Sequence, residues 1–277
     1  MKEIKSAERL DKVLANSGFG TRKEVRRFIR SKVVSVNGVI IPDPDSKVNI
    51  STDKIAINGE VISVKKNIYL MMNKCAGYVC STRGGFHPTV YDLLNPEEHT
   101  KFLGGELHIV GRLDVDTEGL LIFTTDGSLT HRLTSPKYHV SKTYLVYLKN
   151  KVSDEEKSQY IEKLSKGVHI AAESNEPEAD CLPSDCVWKN ESEYENSPAC
   201  VAELTLYEGK YHEVKRLFAA LGNEVVYLKR LSMNKLVLDK TIESGKYREL
   251  SEEEVSLLDV AHAEEDDSES DESVGEE

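Results

Sequence analysis

No run of about 18 apolar residues occurs in this 277-residue chain, so no membrane-spanning helix is expected. The first nine residues, Met1 to Arg9, lack the apolar stretch of a secretory leader, so a reducing cytoplasm is the expected location. Cysteine is sparse: Cys75, Cys80, Cys181, Cys186 and Cys200 are odd in number and scattered, so no disulfide frame is expected. Neither Cys75-x4-Cys80 nor Cys181-x4-Cys186 has the paired Cys-x2-Cys or His-x3-His that a zinc site requires. Glycine-rich nucleotide loops are missing too, because Gly84-Gly85 and Gly104-Gly105 have no Lys-Ser/Thr or G-x-G-x-x-G continuation. Basic residues vanish after residue 250.

What remains is an ordinary soluble composition, 39% hydrophobic and 30% charged, long enough for one large domain or two. The net charge of −12 would argue against a nucleic-acid partner if it were spread evenly. Residues 251–277 hold 13 acidic and no basic residues, which leaves 36 basic against 35 acidic over residues 1–250. Residues 1–66 carry 14 Lys/Arg against 8 Asp/Glu, the sign of charge that a phosphate backbone selects. Residues 262–277 have no apolar cluster able to pack and repel themselves, so disorder is expected there.

The most informative stretch is His108 to Gly127. Two apolar, β-prone runs, Ile109-Val110 and Leu120 to Thr125, flank a polar crest carrying Arg112, Asp114, Asp116, Thr117 and Glu118. Unpaired carboxylates cost several kcal/mol to bury, so this crest is either a solvated turn or a functional loop held by rigid neighbours. It imitates the opening of a calcium loop, but Thr125 stands at the twelfth position where a bidentate Glu is needed, and no metal is expected.

Along the chain, Arg9 to Gly18 reads as a short amphipathic helix with Leu10, Val13 and Leu14 inward. Thr21 caps a second helix on which Arg22, Arg26 and Arg30 recur at a spacing of four with Lys23 and Arg27 alongside, and only Glu24 interrupts. That face suits phosphate tracking. Asn37-Gly38 and Asn58-Gly59 mark two hairpins, and Lys65-Lys66-Asn67 a linker. Ile68 to Lys74 starts the larger unit as a strand; Thr130 to Lys137 reads as surface chain. Val140 to Leu148 is a strand with Lys142, Tyr144 and Val146 on one face, and residues 151–166 a helix. Residues 172–198 read as an acidic excursion of low order. Tyr211 to Leu221 is a helix stopped by Gly222, with His212, Lys215 and Arg216 sharing a cationic face.

These residues carry two resemblances. Arg9-Leu-Asp-Lys, Thr21-Arg22 and Val36-Asn37-Gly38 resemble the S4 RNA-binding module. Gly111-Arg-Leu-Asp-Val-Asp-Thr-Glu-Gly-Leu120 resembles the G-R-L-D-x-x-T-x-G-L signature of the RsuA/RluA-type pseudouridine synthases. Ser135-Pro136, Lys142-Thr-Tyr-Leu and the block Glu208 to Asn223 resemble the RsuA branch. Two departures are visible: Cys75 replaces the proline usual after Asn-Lys, and Glu213 replaces a glutamine. The resemblance implies an α+β protein. Its parts would be a small N-terminal S4 domain of α-L type (1–66), a mixed, mainly antiparallel catalytic domain (67–250) and an acidic, largely disordered tail (251–277).

The chemistry so implied breaks the bond from base nitrogen to sugar and remakes it through carbon, without cofactor or metal. Asp114 would be the nucleophile, Lys215 its charge partner and Tyr144 the residue that stacks on the extruded base. RNA would be held by Arg9, Lys12, Arg22, Lys23, Arg26, Arg27, Arg30, Arg112, Lys142, His212 and Arg216. The implied partner is ribosomal RNA in a small-subunit assembly intermediate, met by a monomer, and the implied target is uridine 516 of 16S RNA. Two other readings stay open: a synthase for a 23S site, and a non-catalytic S4-type assembly factor in which Asp114 is a surface acid.

Overall fold

The computed structural model describes residues 7–62, 64, 67–95, 107–190, 192–194 and 197–260. The expected linker at Lys65-Lys66 and the acidic end beyond residue 260 lie outside the described residues.

The first module pairs helices α1 (Leu10–Asn16) and α2 (Arg22–Arg30) over small sheets. Leu10, Val13 and Leu14 of α1 meet Val25 and Ile29 of α2 in a cluster with Val34, Val48 and Ile55. Thr21 caps α2 in a closed box: the Glu24 amide donates to the Thr21 hydroxyl at 3.2 Å, and the Thr21 amide to the Glu24 carboxylate at 2.8 Å. The single acid of the basic helix is thus taken up by the cap. Val34–Val36 and Val39–Ile40 form one hairpin, Ile55–Ile57 and Glu60–Val61 the other. Asn37 and Gly38 (φ 53° and 82°), like Asn58 and Gly59 (φ 52° and 86°), take the left-handed backbone of tight hairpin turns.

The larger part is built on ten strands among the described residues: β1 (Tyr69–Lys74), β2 (His108–Val110), β3 (Glu118–Thr124), β4 (Lys142–Leu148), β5 (Asp185–Trp188), β6 (Ser192–Tyr194), β7 (Ser197–Leu206), β8 (Val225–Met233), β9 (Leu236–Val237) and β10 (Tyr247–Glu249). The main order is β5-β7-β4-β8-β3-β1-β10, with β6 on β7, β9 on β8 and β2 on β3. Among the described strands of this sheet only β8 and β3 pair in parallel, so the sheet is mixed but mainly antiparallel. Central strands are buried on both faces, which is why β1 and β3 read as unbroken apolar runs. Leu121 and Phe123 enter one core; Leu120 and Ile122 enter the other. The first core is closed by α4 (Asp154–Lys166) and α5 (Glu213–Ala220), the second by α3 (Gly127–Thr134).

Three expectations change. Thr130 to Thr134, part of the stretch Thr130 to Lys137 read as surface chain, belong to helix α3 (Gly127–Thr134), capped by Asp126 through the amides of Ser128 and Leu129, with Leu129 and Leu133 buried. The acidic excursion supplies ordered chain: Ala179–Asp180 pairs with His169–Ile170, and β5 borders β7 with Cys186 inward and Val187 outward. Past residue 250, Ser251 caps α6 (Glu252–Ser256) and Leu258 is fully buried in the second core, so folded chain runs beyond the expected boundary. No helix among the described residues is long and apolar enough to cross a membrane.

Gly119 sets the parallel contact. It has φ +99° and lies opposite Arg230, and a Cβ there would stand 2.3 Å from the Arg230 carbonyl oxygen and 2.8 Å from its nitrogen. Neither atom can yield without parting β3 from β8. Gly119→Ala is therefore expected to cost about 3–5 kcal/mol and roughly 10 °C of Tm. Gly85→Ala, with nothing within 4 Å, serves as the control in the same melt. Equal melting of the two variants would contradict the contact.

Candidate active site

The crest between β2 and β3 is held from beneath by Lys74. This side chain is fully buried, and its ammonium donates to the carbonyls of Cys75 (3.1 Å), Asp114 (3.0 Å), Val115 (3.2 Å) and Thr117 (2.7 Å). The Thr117 amide closes a turn on the Asp114 carbonyl at 3.2 Å, and the Gly77 amide donates to Val115 at 2.7 Å. Burial lowers the Lys74 pKa, with Cys80, Cys75, Asp116 and Asp114 opposing. A lysine so placed gives the loop a fixed shape without a partner carboxylate. Sequence reading missed it, since a lysine closing an apolar strand looks like a strand end.

Asp114 stands at the top of that loop, about a quarter exposed. Lys215 Nζ lies 3.2 Å from its Oδ2 and His212 Nε2 lies 3.7 Å from its Oδ1. Lys215 also binds both oxygens of Asp116, at 2.7 and 2.9 Å. Burial works against the Lys215 charge, but Asp116 and Asp114 outweigh it and raise its pKa. His212 does not belong to α5: it precedes the helix in a left-handed conformation (φ 48°), stacks on Tyr211 and contacts Glu173 through Nδ1 at 3.0 Å. That kink lets His212 and Lys215 flank one carboxylate. Arg216, expected on the same face, is buried and donates to the carbonyls of Ala171, Pro177 and Tyr211. It braces the inserted segment.

Asp114 separates two concavities. One, of about 200 Å³, is lined by Tyr144, Lys142, Arg230, Glu213, Val214 and Leu228, with Thr134, Ser135 and Pro136 at its side. The other, of about 400 Å³, runs over Cys80, Ser81, Tyr211 and His212. Arg112 is exposed and lines both. Tyr144 is nearly buried; burial raises its pKa against the pull of Arg230, its partner across β4 and β8, so it stays a neutral phenol. Lys142 donates to the carbonyls of Val140 (2.9 Å) and Glu208 (3.4 Å) from inside the wall. Arg230, absent from the sequence-based candidates, is 1% exposed and donates from Nε to the Leu120 carbonyl at 2.8 Å.

On the basic helix, Arg22, Lys23, Arg27 and Arg30 are exposed. Arg26 pairs with Asp11 (2.7 Å) and Asp45 (2.6 Å), Arg9 with the same two acids, and Lys12 with Glu8 (3.1 Å). Lys12–Glu8 is a surface pair, weak enough to be exchanged for a phosphate, whereas Asp11 is 1% exposed and holds Arg9 and Arg26 in place.

Behind the cavity, Cys181, Glu208 and Glu213 bring a thiol and two carboxylates within 4.8 Å. Lys210 organises them, its ammonium pairing with Glu208 and its amide donating to Glu213 Oε2 at 2.7 Å, while the Leu182 amide binds Glu208 at 2.6 Å. Glu213 Oε1 is buried without a partner. Burial first, then the charge of Glu208, pushes the Glu213 carboxyl up to about 7. A carboxyl raised on folding stabilises below its unfolded value and loses that contribution as pH climbs to the raised value. Stability should fall between about pH 4.5 and 7, and Glu213→Gln should remove the fall. At pH 8 the variant is expected to gain on the order of 2 kcal/mol, several degrees of Tm, and at pH 4 almost nothing. An equal gain at both pH values would show that Glu213 is not the titrating group.

Comparison with known proteins shows the family of both parts of the chain. The RNA pseudouridylate synthase family profile matches residues 68–220, and the S4 domain profile residues 8–55. An uncharacterised RNA pseudouridine synthase of Bacillus subtilis, YtzG, is 44% identical over 92% of this chain and all of its own length. Ribosomal small subunit pseudouridine synthase A of Pasteurella multocida is 39% identical, over 90% of this chain and 99% of its own. A pseudouridylate synthase crystal structure shares 36% identity at a TM-score of 0.56, covering 90% of this chain and 99% of that one.

Proposed function

Because the chain belongs to the RNA pseudouridylate synthase family, and is therefore an RNA-modifying isomerase with an S4 domain, we propose that it converts one uridine of small-subunit ribosomal RNA to pseudouridine. The observation that carries this reading is Asp114 on the rim of a base-sized cavity, with Lys215 and His212 beside its carboxylate. Lys215 places a positive charge 3.2 Å from the carboxylate that attacks. Tyr144 and the apolar side chains of Val214 and Leu228 offer flat surfaces to a pyrimidine, and the 400 Å³ groove over Tyr211 and His212 takes the flanking strand. A base inside a duplex cannot reach Asp114, so the uridine turns out of its stack and Arg112, exposed beside the carboxylate, fills the gap or holds the phosphate. The small-subunit target follows the names of relatives similar along nearly the whole chain, and the motif resemblance makes uridine 516 of 16S RNA the first candidate to test.

The purified chain should form pseudouridine at a single position of a 16S transcript or an early small-subunit particle. Product only on 23S RNA would move the assignment, and no product on either would reject it. The S4 part adds affinity without selecting the base. Replacing exposed Lys23 and Arg27 by Gln should weaken RNA binding across sequences and flatten the log–log salt dependence by about one unit for each lost contact. An unchanged salt slope would move the binding surface elsewhere.

A further inference from the structure

The inner wall of the 200 Å³ cavity contains two cations without a counter-charge. Arg230 is 1% exposed, and its Nη2 has no hydrogen-bond partner. Lys142 reaches only backbone carbonyls, and among the described residues neither cation has a carboxylate within 4.0 Å. Glu213, which lines the same cavity, holds its proton up to about pH 7. Burial first, and Arg230 second, push the Lys142 ammonium down to about 8. Two buried, unpaired positive charges are a standing cost of several kcal/mol. Both sit where Asp114 and Tyr144 line the same cavity.

The proposed reaction creates a negative charge in that space. As an Asp114 oxygen bonds to the sugar C1′, the C1′–N1 bond breaks and its electron pair leaves with the base. The detached pyrimidine is then an anion, with its charge shared between N1 and the two carbonyl oxygens. When C5 of the turned base bonds to C1′, the Asp114–C1′ pair returns to the carboxylate. C5 loses its proton and N1 gains one, so the sequence is a net isomerisation. The free base must be held in the interval between the two bonds.

We infer that Arg230 and Lys142 form the receptor for the anionic, detached pyrimidine, gripping its carbonyl oxygens while the ring turns. This rests on the function proposed above. A phosphate fits the cavity less well, because Tyr144, Leu228, Val214 and Leu206 give it flat, apolar walls. Fixed cations in a water-poor site stabilise a developing anion most where they need no rearrangement. Tyr144 and Gly119 clamp Arg230 from the two neighbouring strands.

The test uses the full chain with two free bases of nearly the same shape, uracil and 6-azauracil, the second losing its ring proton near neutrality. Calorimetry should show 6-azauracil binding about tenfold or more tighter than uracil once it ionises. Lys142→Met should reduce that preference at least tenfold, and in the RNA reaction should lower kcat much more than it raises KM. Arg230→Gln should do the same if it folds; Lys142→Met and the unaltered chain decide the matter if it does not. Equal affinities for the two bases, no binding of either, or a preference unmoved by Lys142→Met would overturn the inference. Pseudouridine formation by the unaltered chain is assayed alongside. Product without anion preference refutes the receptor alone, whereas no product refutes the function beneath it.

Discussion

Asp114→Asn is expected to abolish pseudouridine formation while leaving fold and RNA affinity in place. The amide keeps the size of the carboxylate and removes its charge, and Lys215 retains its contact with Asp116 at 2.7 Å, so the rim does not collapse. Arg112 and the exposed face of α2 are untouched, and RNA affinity should stay within about threefold. An amide cannot form the covalent bond to the sugar, so the rate should fall by more than about a thousandfold, roughly 4 kcal/mol of barrier. Single-turnover assays with enzyme in excess read this without interference from product release. Turnover within tenfold of the unaltered protein would remove Asp114 from the nucleophile role, and a matching loss of RNA affinity would recast it as a binding residue.

Lys74→Met is expected to have the next largest effect, and it acts at one remove. The substitution keeps the apolar stem but takes away the ammonium that four carbonyls share, three of them in the crest. Water reaches this position poorly, since Lys74 is fully buried. Orphaned buried acceptors cost about 1–3 kcal/mol each when they cannot turn away, and partial relaxation brings the expected loss to roughly 3–5 kcal/mol. The relaxation itself displaces Asp114 from Lys215 and from the cavity mouth. Misplacement by about 1 Å is enough for a hundredfold loss of rate, so kcat should fall at least that far even where the protein is fully folded. Amide exchange should quicken in residues 112–118 ahead of the rest of the sheet. A variant with activity within threefold and an unchanged melt would show that the crest holds its own shape.

The sequence revealed these features unevenly, for physical reasons. Asn37-Gly38, Asn58-Gly59 and the Thr21 cap were legible because each feature is made by residues within a few positions of one another. The crest and its flanking strands were legible because an apolar-polar-apolar pattern survives in one dimension. Asp114, Tyr144 and Lys215 came from motif resemblance; their convergence depends on β3, β4 and α5 meeting, which no local pattern specifies. Lys74 and Arg230 stayed hidden because charged residues are normally read as surface. Leu228-Lys229-Arg230-Leu231 looks like a strand with one solvated face, yet Arg230 is 1% exposed beneath Gly119. Helix α3 carried a readable signal, an Asp126 cap with Leu129 and Leu133 four apart, hidden by the Ser-Pro that follows. In the acidic insertion, Glu173 meets His212 at 3.0 Å, a long-range contact with no trace in spacing.

The central claim, that this chain isomerises one uridine of small-subunit ribosomal RNA, is tested most directly by mapping pseudouridine in the ribosomal RNA of cells that lack it. Chemical mapping of 16S and 23S RNA should find one 16S position that is pseudouridine in the parent and uridine in the deletion strain. Restoring the unaltered protein should return the modification, and restoring Asp114→Asn should not. An unchanged set of pseudouridines in both RNAs, or a loss confined to 23S RNA, would contradict it.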